Sequence, residues 1–359
     1  MRWGRRTSAP SLAEPAGRTV LRLGFGALLV LDGILQAQPM METGLPSRVI
    51  VPAAAGSPSW VRDLAHWAAA AWSDHPLLAA TAAVWIQAGL GLWLLAARGD
   101  PVSRLAGLAS AGWGLAVWAF GEAFGGVFAP GLTWMSGAPG AALLYCATGV
   151  LIALPVRAWR PARLGRFLLP GTGLLVTGMA VLQAWPGRGF WQGTLDGRPG
   201  TLTGVIQAMS TTSQPRPLAA AVAGFGAFTA AHGFAVNLFT VVALAAVGAC
   251  FLSARPALAR IAAAGFTVVC LADWVLVQDL GFLGGLGTDP NSMIPYVLLA
   301  WAGYAALSRP PLAPAGDRDG AAVPVDGVTH LAISQRRTRT SDMGGVMRES
   351  QAGPRGSGL

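Results

Sequence analysis

Residues 35–39 read LQAQP and residues 182–186 read LQAWP, and each stretch closes a long apolar run. The match resumes at an offset of 156 or 157 residues and continues through both halves of the chain. The pairs include His75 with His232, Trp118 with Trp274, Glu122 with Gln278, Gly125 with Gly281, Ser136 with Ser292 and Pro139 with Pro295. Such a repeat predicts one fold for both copies, with binding sites at corresponding positions or between the copies.

The composition indicates a multispanning membrane protein. The 359 residues are 53% hydrophobic and only 11% charged, with a mean hydropathy of +0.51, which leaves too few charges to coat a soluble protein. We predict an all-α membrane protein with eight transmembrane helices, arranged as two tandem four-helix bundles. The predicted spans are residues 19–38, 76–97, 104–126, 138–155, 165–185, 232–253, 258–280 and 293–308.

These spans divide the chain into four segments. The first four-helix repeat covers residues 18–155 and the second covers 156–308, between a tail at 1–17 and a tail at 309–359. The C-terminal tail has few large apolar side chains, so we predict that it is disordered. Residues 217–230 are apolar enough for a ninth span, although their alignment with the amphipathic residues 59–73 favours a place in the membrane interface.

Arginine placement predicts the orientation. All 25 basic residues are arginine, and 20 of them fall in the tails and inside loops if both termini are cytoplasmic, against five outside. The positive-inside rule therefore predicts cytoplasmic termini in the cell (inner) membrane. The pI near 11.0 then reflects topology and contact with the lipid bilayer, and it does not indicate nucleic acid.

Polar residues at membrane depth are the candidate site. An ionisable side chain in a span costs about 2.5–3.5 kcal/mol, so each one needs an explanation. The ligand or proton candidates are Asp32, His75, Gln87, Glu122, His232, Asp273, Gln278 and Asp279. Alternating helix directions bring most of them to one layer beneath the outer surface. Each of these residues also has a purely structural interpretation. The acids could pair with another side chain or stay neutral, the histidines could cap helices, and Asp289 could serve a turn.

Familiar catalytic signatures are absent from the chain. It has no lysine and hence no phosphate-binding loop of the usual kind, and no HExxH pair or CxxCH haem attachment. Cys146, Cys250 and Cys270 lie in predicted spans without metal-ligand spacing, so they are interpreted as small buried residues. The sequence thus carries no metal or haem signature, and catalytic residues stay unknown.

One membrane family resembles the chain. An arginine precedes the sequence LGFG at residues 23–26, a long outer segment ends in HPLL at 75–78, and a glycine-rich loop separates the third and fourth spans. In these features the chain is similar to DoxX/DoxD-type membrane proteins over residues 18–155 and, more weakly, 165–308. The resemblance implies four-helix bundles and, in one branch, the membrane part of a thiosulfate:quinone oxidoreductase. Where the family often has an acid in helix two, this chain has Gln87 and Leu244.

The sequence supports three hypotheses about function. The first is a quinone-associated membrane subunit or accessory of an oxidoreductase, with quinone as the cofactor and a soluble or exported redox partner protein. The second is a small-molecule transporter with a site between the repeats. The third is a membrane scaffold in which the polar layer only specifies packing.

Overall fold

The described part of the chain consists of helices and their connecting loops, with one short strand pair. The computed structural model describes residues 14–160, 162–211, 214–281, 283 and 285–308, so the predictions for residues 1–13 and 309–359 lie outside the described residues. The first half contains α1 (Ala16–Gln36), α2 (Met41–Leu45), α3 (Val51–Ala53), α4 (Ser59–Asp74), α5 (Pro76–Ala96), α6 (Asp100–Phe120) and α7 (Ala141–Ala153). The second contains α8 (Val156–Trp159), α9 (Arg163–Ala184), β1 (Thr194–Leu195), β2 (Arg198–Pro199), α10 (Thr201–Ser210), α11 (Arg216–Leu252), α12 (Pro256–Leu276) and α13 (Met293–Leu307).

Among the described residues, five helices are long and apolar enough to cross a membrane: α1, α5, α9, α11 and α12. The helices at the other three predicted spans are either less apolar or shorter than these five. α6 has 21 residues but is less apolar, while α7 and α13 are apolar but have only 13 and 15 residues. At 1.5 Å per residue the last two measure about 20 and 22 Å, short of the ~30 Å of hydrocarbon.

Close helix pairs organise each half. In the first half α1 lies along α5 and α6 lies along α7, while α13 of the second half packs against both α1 and α9. Small residues allow this approach: a Cβ on Gly91 of α5 would lie 2.7 Å from the Gly26 oxygen of α1. A Cβ on Gly149 of α7 would lie 2.6 Å from the Gly107 oxygen of α6. Glycine contacts of this kind are typical of helices that associate in lipid.

The two halves bend their chains at corresponding residues. α4 ends and α5 begins at His75, where φ is −142°, and α11 is interrupted at His232, where φ is −127°. Residues 217–230, which the repeat aligns with the interfacial segment, therefore form the first arm of a kinked 37-residue helix. After the third helix of each half, Ala123–Phe124–Gly125 and Asp279–Leu280–Gly281 all have positive φ, so both loops leave their helix in the same left-handed turn.

A buried arginine holds the N-terminal end of α1. Only 1% of the Arg18 side chain is exposed, and its guanidinium lies 3.0 Å from the Asp100 carboxylate of α6 and 3.5 Å from Glu14. It also donates hydrogen bonds of 2.9 and 3.1 Å to the Ile152 carbonyl near the end of α7. One side chain thus joins three helix ends of the first half.

We expect the substitution Arg18→Met to lower the thermal stability of the purified protein. It leaves the Ile152 carbonyl without its donor and removes the ion pair to the Asp100 carboxylate, which is 33% exposed and still accepts from the Val156 N–H, so we expect a loss of about 1–3 kcal/mol. Melting of the detergent-solubilised protein measures the effect, with Arg98→Met as the control because Arg98 is exposed. Equal melting temperatures for the two variants would contradict this role for Arg18.

Candidate functional site

The first half encloses a cavity of about 400 Å³, which we call the first cavity. Its walls come from α1, α4, α5, α6 and α7, together with the loop that precedes α13 in the second half. Most of its lining is apolar and aromatic. Its polar lining side chains are those of Asp32, Gln36, Gln87, Glu122, Tyr145, Thr288 and Asp289.

Asp32 and Tyr145 form the buried wall of the first cavity. Asp32 is 1% exposed, and the Tyr145 hydroxyl of α7 faces its carboxyl group. Neither Asp32 Oδ1 nor Tyr145 Oη has a hydrogen bond of ordinary geometry within the described residues. A buried oxygen without a partner costs about 1–3 kcal/mol, so this pair is poised to accept a ligand or water.

Two buried amides add to this unsatisfied set. Gln36 follows Asp32 by one helical turn on α1, and Gln87 lies opposite on α5. Gln36 Nε2 and Gln87 Oε1 have no hydrogen-bond partner among the described residues. The first cavity therefore offers both donors and acceptors from facing helices.

Glu122 lines the first cavity just after the end of α6 and also caps a helix. Both of its carboxylate oxygens accept from the backbone N–H of Ala142, at 3.1 and 3.2 Å, in the first turn of α7. A carboxylate is favoured at this end of a helix by the free N–H groups and the helix dipole. Gly140, with φ of 103°, lets Glu122 reach that position because a Cβ there would collide with the carboxylate. Glu122 thus has a structural role whatever the ligand.

Asp289 enters the first cavity from the other half of the chain. Its carboxylate accepts from the Asn291 N–H at 2.7 Å and from the Thr288 hydroxyl at 2.9 Å, which is the turn chemistry expected for this residue. Burial raises the pKa of Asp289, and those two hydrogen bonds partly offset the rise. Three carboxyl groups thus share the first cavity, and no arginine or histidine is among its described lining residues.

Aromatic side chains give the first cavity an opening to the outside. Trp67 of α4 and Phe120 of α6 line it and are also 62% and 39% exposed, with ring centroids 5.6 Å apart. Trp72 and Trp113 line it as well. Because the exposed pair stands between α4 and α6, the cavity reaches the apolar outer face of the helices there.

The second half contains a counterpart, the second cavity, also of about 400 Å³. Nine lining positions of the two cavities correspond at the offsets of 156 and 157 seen in the sequence. Ala68, Ala71, Ala79, Ala83, Trp113, Ala116, Val117, Phe120 and Gly121 match, in order, Phe225, Phe228, Val236, Thr240, Val269, Ala272, Asp273, Leu276 and Val277. The second cavity is almost wholly apolar, and Asp273 is its one charged lining residue within the described part of the chain.

Each cavity is covered by a loop of the other half. Thr288 and Asp289, from the loop between α12 and α13, line the first cavity, while Trp134 and Met135, from the loop between α6 and α7, line the second. The Tyr296 hydroxyl of α13 donates to the Ala138 carbonyl at 2.9 Å and secures this exchange. Each candidate site therefore lies within one half of the chain but includes residues from a loop of the other half.

The predicted site residues separate into three groups. Asp32, Gln87 and Glu122 meet in the first cavity; Asp273 lines the second, and Gln278 donates to its Oδ2 at 2.8 Å. The third group lines neither cavity: His75, His232 and Asp279. Both histidines are exposed at helix junctions, and the His232 ring stacks on the Phe228 ring with their centroids 4.6 Å apart. Asp279 is buried in the turn after α12, with no hydrogen-bond partner for either oxygen among the described residues.

Sequence reasoning missed two contributors to the first cavity. Tyr145 lies within an apolar helix and gives no periodic or charge signal of its own. The sequence favours a turn role for Asp289, because nothing local indicates that its loop crosses to the first half.

Among the described residues, no group of three or more histidine, cysteine, aspartate or glutamate side chains could hold a metal ion. No protein-family model, curated protein or solved structure matches the chain. The cavities and their polar groups are therefore the basis for any functional conclusion.

Proposed function

We propose that the protein crosses the inner membrane eight times, as two tandem four-helix bundles with both termini in the cytoplasm. The matching breaks at His75 and His232 support the repeat, and the arginine distribution supports the orientation. The short α7 and α13 fit this topology because each follows a buried irregular loop. Such loops are tolerated at membrane depth where protein covers them.

Within that topology, the first cavity is a site for a quinone head group, and the protein is a membrane subunit or accessory of an oxidoreductase. The observation that carries this proposal is a set of buried polar atoms in one cavity with aromatic walls. Gln36 Nε2 and Gln87 Oε1 have no hydrogen-bond partner among the described residues, and the Asp32 and Tyr145 oxygens face each other without a hydrogen bond of ordinary geometry. The opening beside Trp67 and Phe120 suits a ligand that arrives from the bilayer and keeps an apolar tail there. The DoxX-type resemblance agrees with this choice.

The residues have distinct parts in this proposal. A bound quinone supplies two-electron redox chemistry, with the electrons exchanged with a separate redox partner protein. The Tyr145 hydroxyl and the Gln36 amide donate hydrogen bonds to the oxygens of the ring. Asp32 and Glu122 give up or accept the two protons that accompany the two electrons, and Asp289 exchanges protons with the outer surface.

A second candidate, transport of a small cation, is favoured by one observation. Asp32, Glu122 and Asp289 share the first cavity with no basic side chain among its described lining residues. A positively charged ligand would relieve their mutual repulsion, and the aromatic walls add cation–π attraction. Asp289 and its loop would then serve as the part of the site that the second repeat contributes.

We expect Tyr145→Phe combined with Gln36→Leu to weaken binding of a short-tailed quinone, decylubiquinone, by at least about tenfold, since each lost hydrogen bond to the ring oxygens costs about 1–3 kcal/mol. Quinone retained by the full chain in nanodiscs measures this, with Asp63→Asn on the exposed face of α4 as the control. Methylamine uptake by liposomes without a redox partner would favour the transporter instead. Unchanged quinone binding in the double variant would reject the quinone site.

A further inference from the structure

We infer that the second cavity binds a cationic amphiphile, a molecule with one protonated amine head and an apolar body such as an alkyl chain. This inference is independent of the quinone proposal, because it concerns the other cavity and a different ligand class. It is carried by the geometry around Asp273.

Asp273 is a single carboxyl group in an apolar cavity. It is 5% exposed; its Oδ2 accepts from Gln278 Nε2 at 2.8 Å, and its Oδ1 has no hydrogen-bond partner among the described residues. The remaining lining is apolar apart from two groups: Thr240, whose hydroxyl already donates to the Val236 carbonyl at 3.0 Å, and the indole N–H of Trp134, which has no hydrogen-bond partner among the described residues. One oxygen of Asp273 is thus left for a ligand.

The amide and hydroxyl groups of Gln183, Asn237 and Thr133 bond to one another and not to Asp273. Gln183 donates to Asn237 Oδ1 at 2.8 Å, and the Thr133 hydroxyl donates to Gln183. No arginine or histidine is among the described residues that line the second cavity. A buried carboxyl group that lacks a cationic partner stays neutral until a cation reaches it, and a protonated amine on the ligand would supply that cation.

The corresponding position of the first cavity argues that the carboxyl group is not a packing requirement. Val117 occupies it there, on the same face of α6 that Asp273 occupies on α12. An apolar side chain therefore fits this place in the fold. The second half therefore carries an acidic side chain at a position where the first half has an apolar one.

The walls of the second cavity fit the rest of the proposed ligand. Phe239 and Val268 line it and are 65% and 67% exposed, so the cavity opens between α11 and α12 on the apolar outer face of the helices. An alkyl chain can leave through that opening while its ammonium group contacts Asp273. Phe225 and Phe228 also line the cavity and provide ring faces that attract a cation.

Native mass spectrometry of the full chain, titrated with dodecylamine, tests this inference. We expect one dodecylamine to bind the wild type, and Asp273→Val to weaken that binding at least tenfold, whereas Asp32→Asn in the first cavity leaves it unchanged. Dodecanol, which has the same chain without the charge, is expected to bind at least tenfold more weakly. Asp273→Asn provides a second variant that keeps the shape of the side chain and removes only its charge.

Three results would overturn the inference. They are wild-type affinity in both Asp273 variants, equal binding of dodecanol, or the same loss of affinity in Asp32→Asn as in Asp273→Val. Melting curves check that the variants are folded, and we expect Asp273→Val without ligand to melt no lower than the wild type. Because no quinone enters the assay, failure here leaves the quinone proposal untouched.

Discussion

Replacing Asp32 by Met and Gln87 by Leu is expected to abolish ligand binding in the first cavity and to stabilise the unliganded protein. The repeat supplies both substitutions, since Met179 and Leu244 stand at the corresponding positions of the second half. Gln87→Leu removes a buried oxygen without a partner, and Asp32→Met removes a buried carboxyl group whose contact with the Tyr145 hydroxyl lacks ordinary hydrogen-bond geometry, so the free energy of unfolding should rise by about 1–3 kcal/mol per site. Decylubiquinone affinity should fall at least 100-fold, which corresponds to about 2.7 kcal/mol.

Thermal melting and quinone retention of the same nanodisc preparation measure the two effects together. Ile86→Leu is a matched control, because it changes an apolar residue next to Gln87 and conserves its volume. A double variant that melts below the wild type would show that Asp32 and Gln87 serve packing. The scaffold hypothesis would then account best for the polar groups.

Substitution of Gly91 by Leu is expected to prevent correct packing of the first half. A Cβ at this position would lie 2.7 Å from both the Gly26 oxygen and the Val30 nitrogen of α1, which are backbone atoms that cannot move aside independently. The helices must separate, and we expect a loss of about 3 kcal/mol or more, at or beyond the upper end of ordinary overpacking.

Gly89→Leu is the control for this prediction because it lies on the same helix, two residues away, with nothing within 4 Å of its Cβ position. Gel filtration and melting of both variants measure the outcome. We expect monodisperse Gly89→Leu and aggregated or early-melting Gly91→Leu. Similar behaviour of the two would mean that the α1–α5 contact is not as close as described.

Much of the local structure follows from the sequence because it depends on neighbours in the chain. The apolar runs predict the long helices, and the repeat predicts that His75 and His232 occupy equivalent junctions, as they do in the backbone. The cost of burying polar groups also singles out Asp32, Gln87 and Glu122, which meet in one cavity. Each of these inferences needs only composition, spacing or alignment of the chain with itself.

The rest of the candidate site depends on how the helices rotate about their axes and on which loops cross between the halves. A single sequence gives no direct signal for either. Asp273 lines the second cavity at the position that Val117 occupies in the first, and only the packing of the helices shows that Asp273 and Glu122 belong to separate cavities. Asp289 meets Asp32 from a position more than 250 residues away in the chain. Likewise, the predicted spans 138–155 and 293–308 correspond to helices of only 13 and 15 residues, because the chain before each of them forms a loop instead of helix.

The exchange of covering loops has a consequence for the evolutionary history of the chain. Asp289 and Met135 each line the cavity of the opposite half. Deletion of either half would therefore remove part of the wall of the cavity that remains. A gene split between α7 and α9 should therefore restore a working molecule only when both pieces are made in the same cell. The two halves can therefore differ in the side chains that line their cavities, but each half still requires a loop of the other.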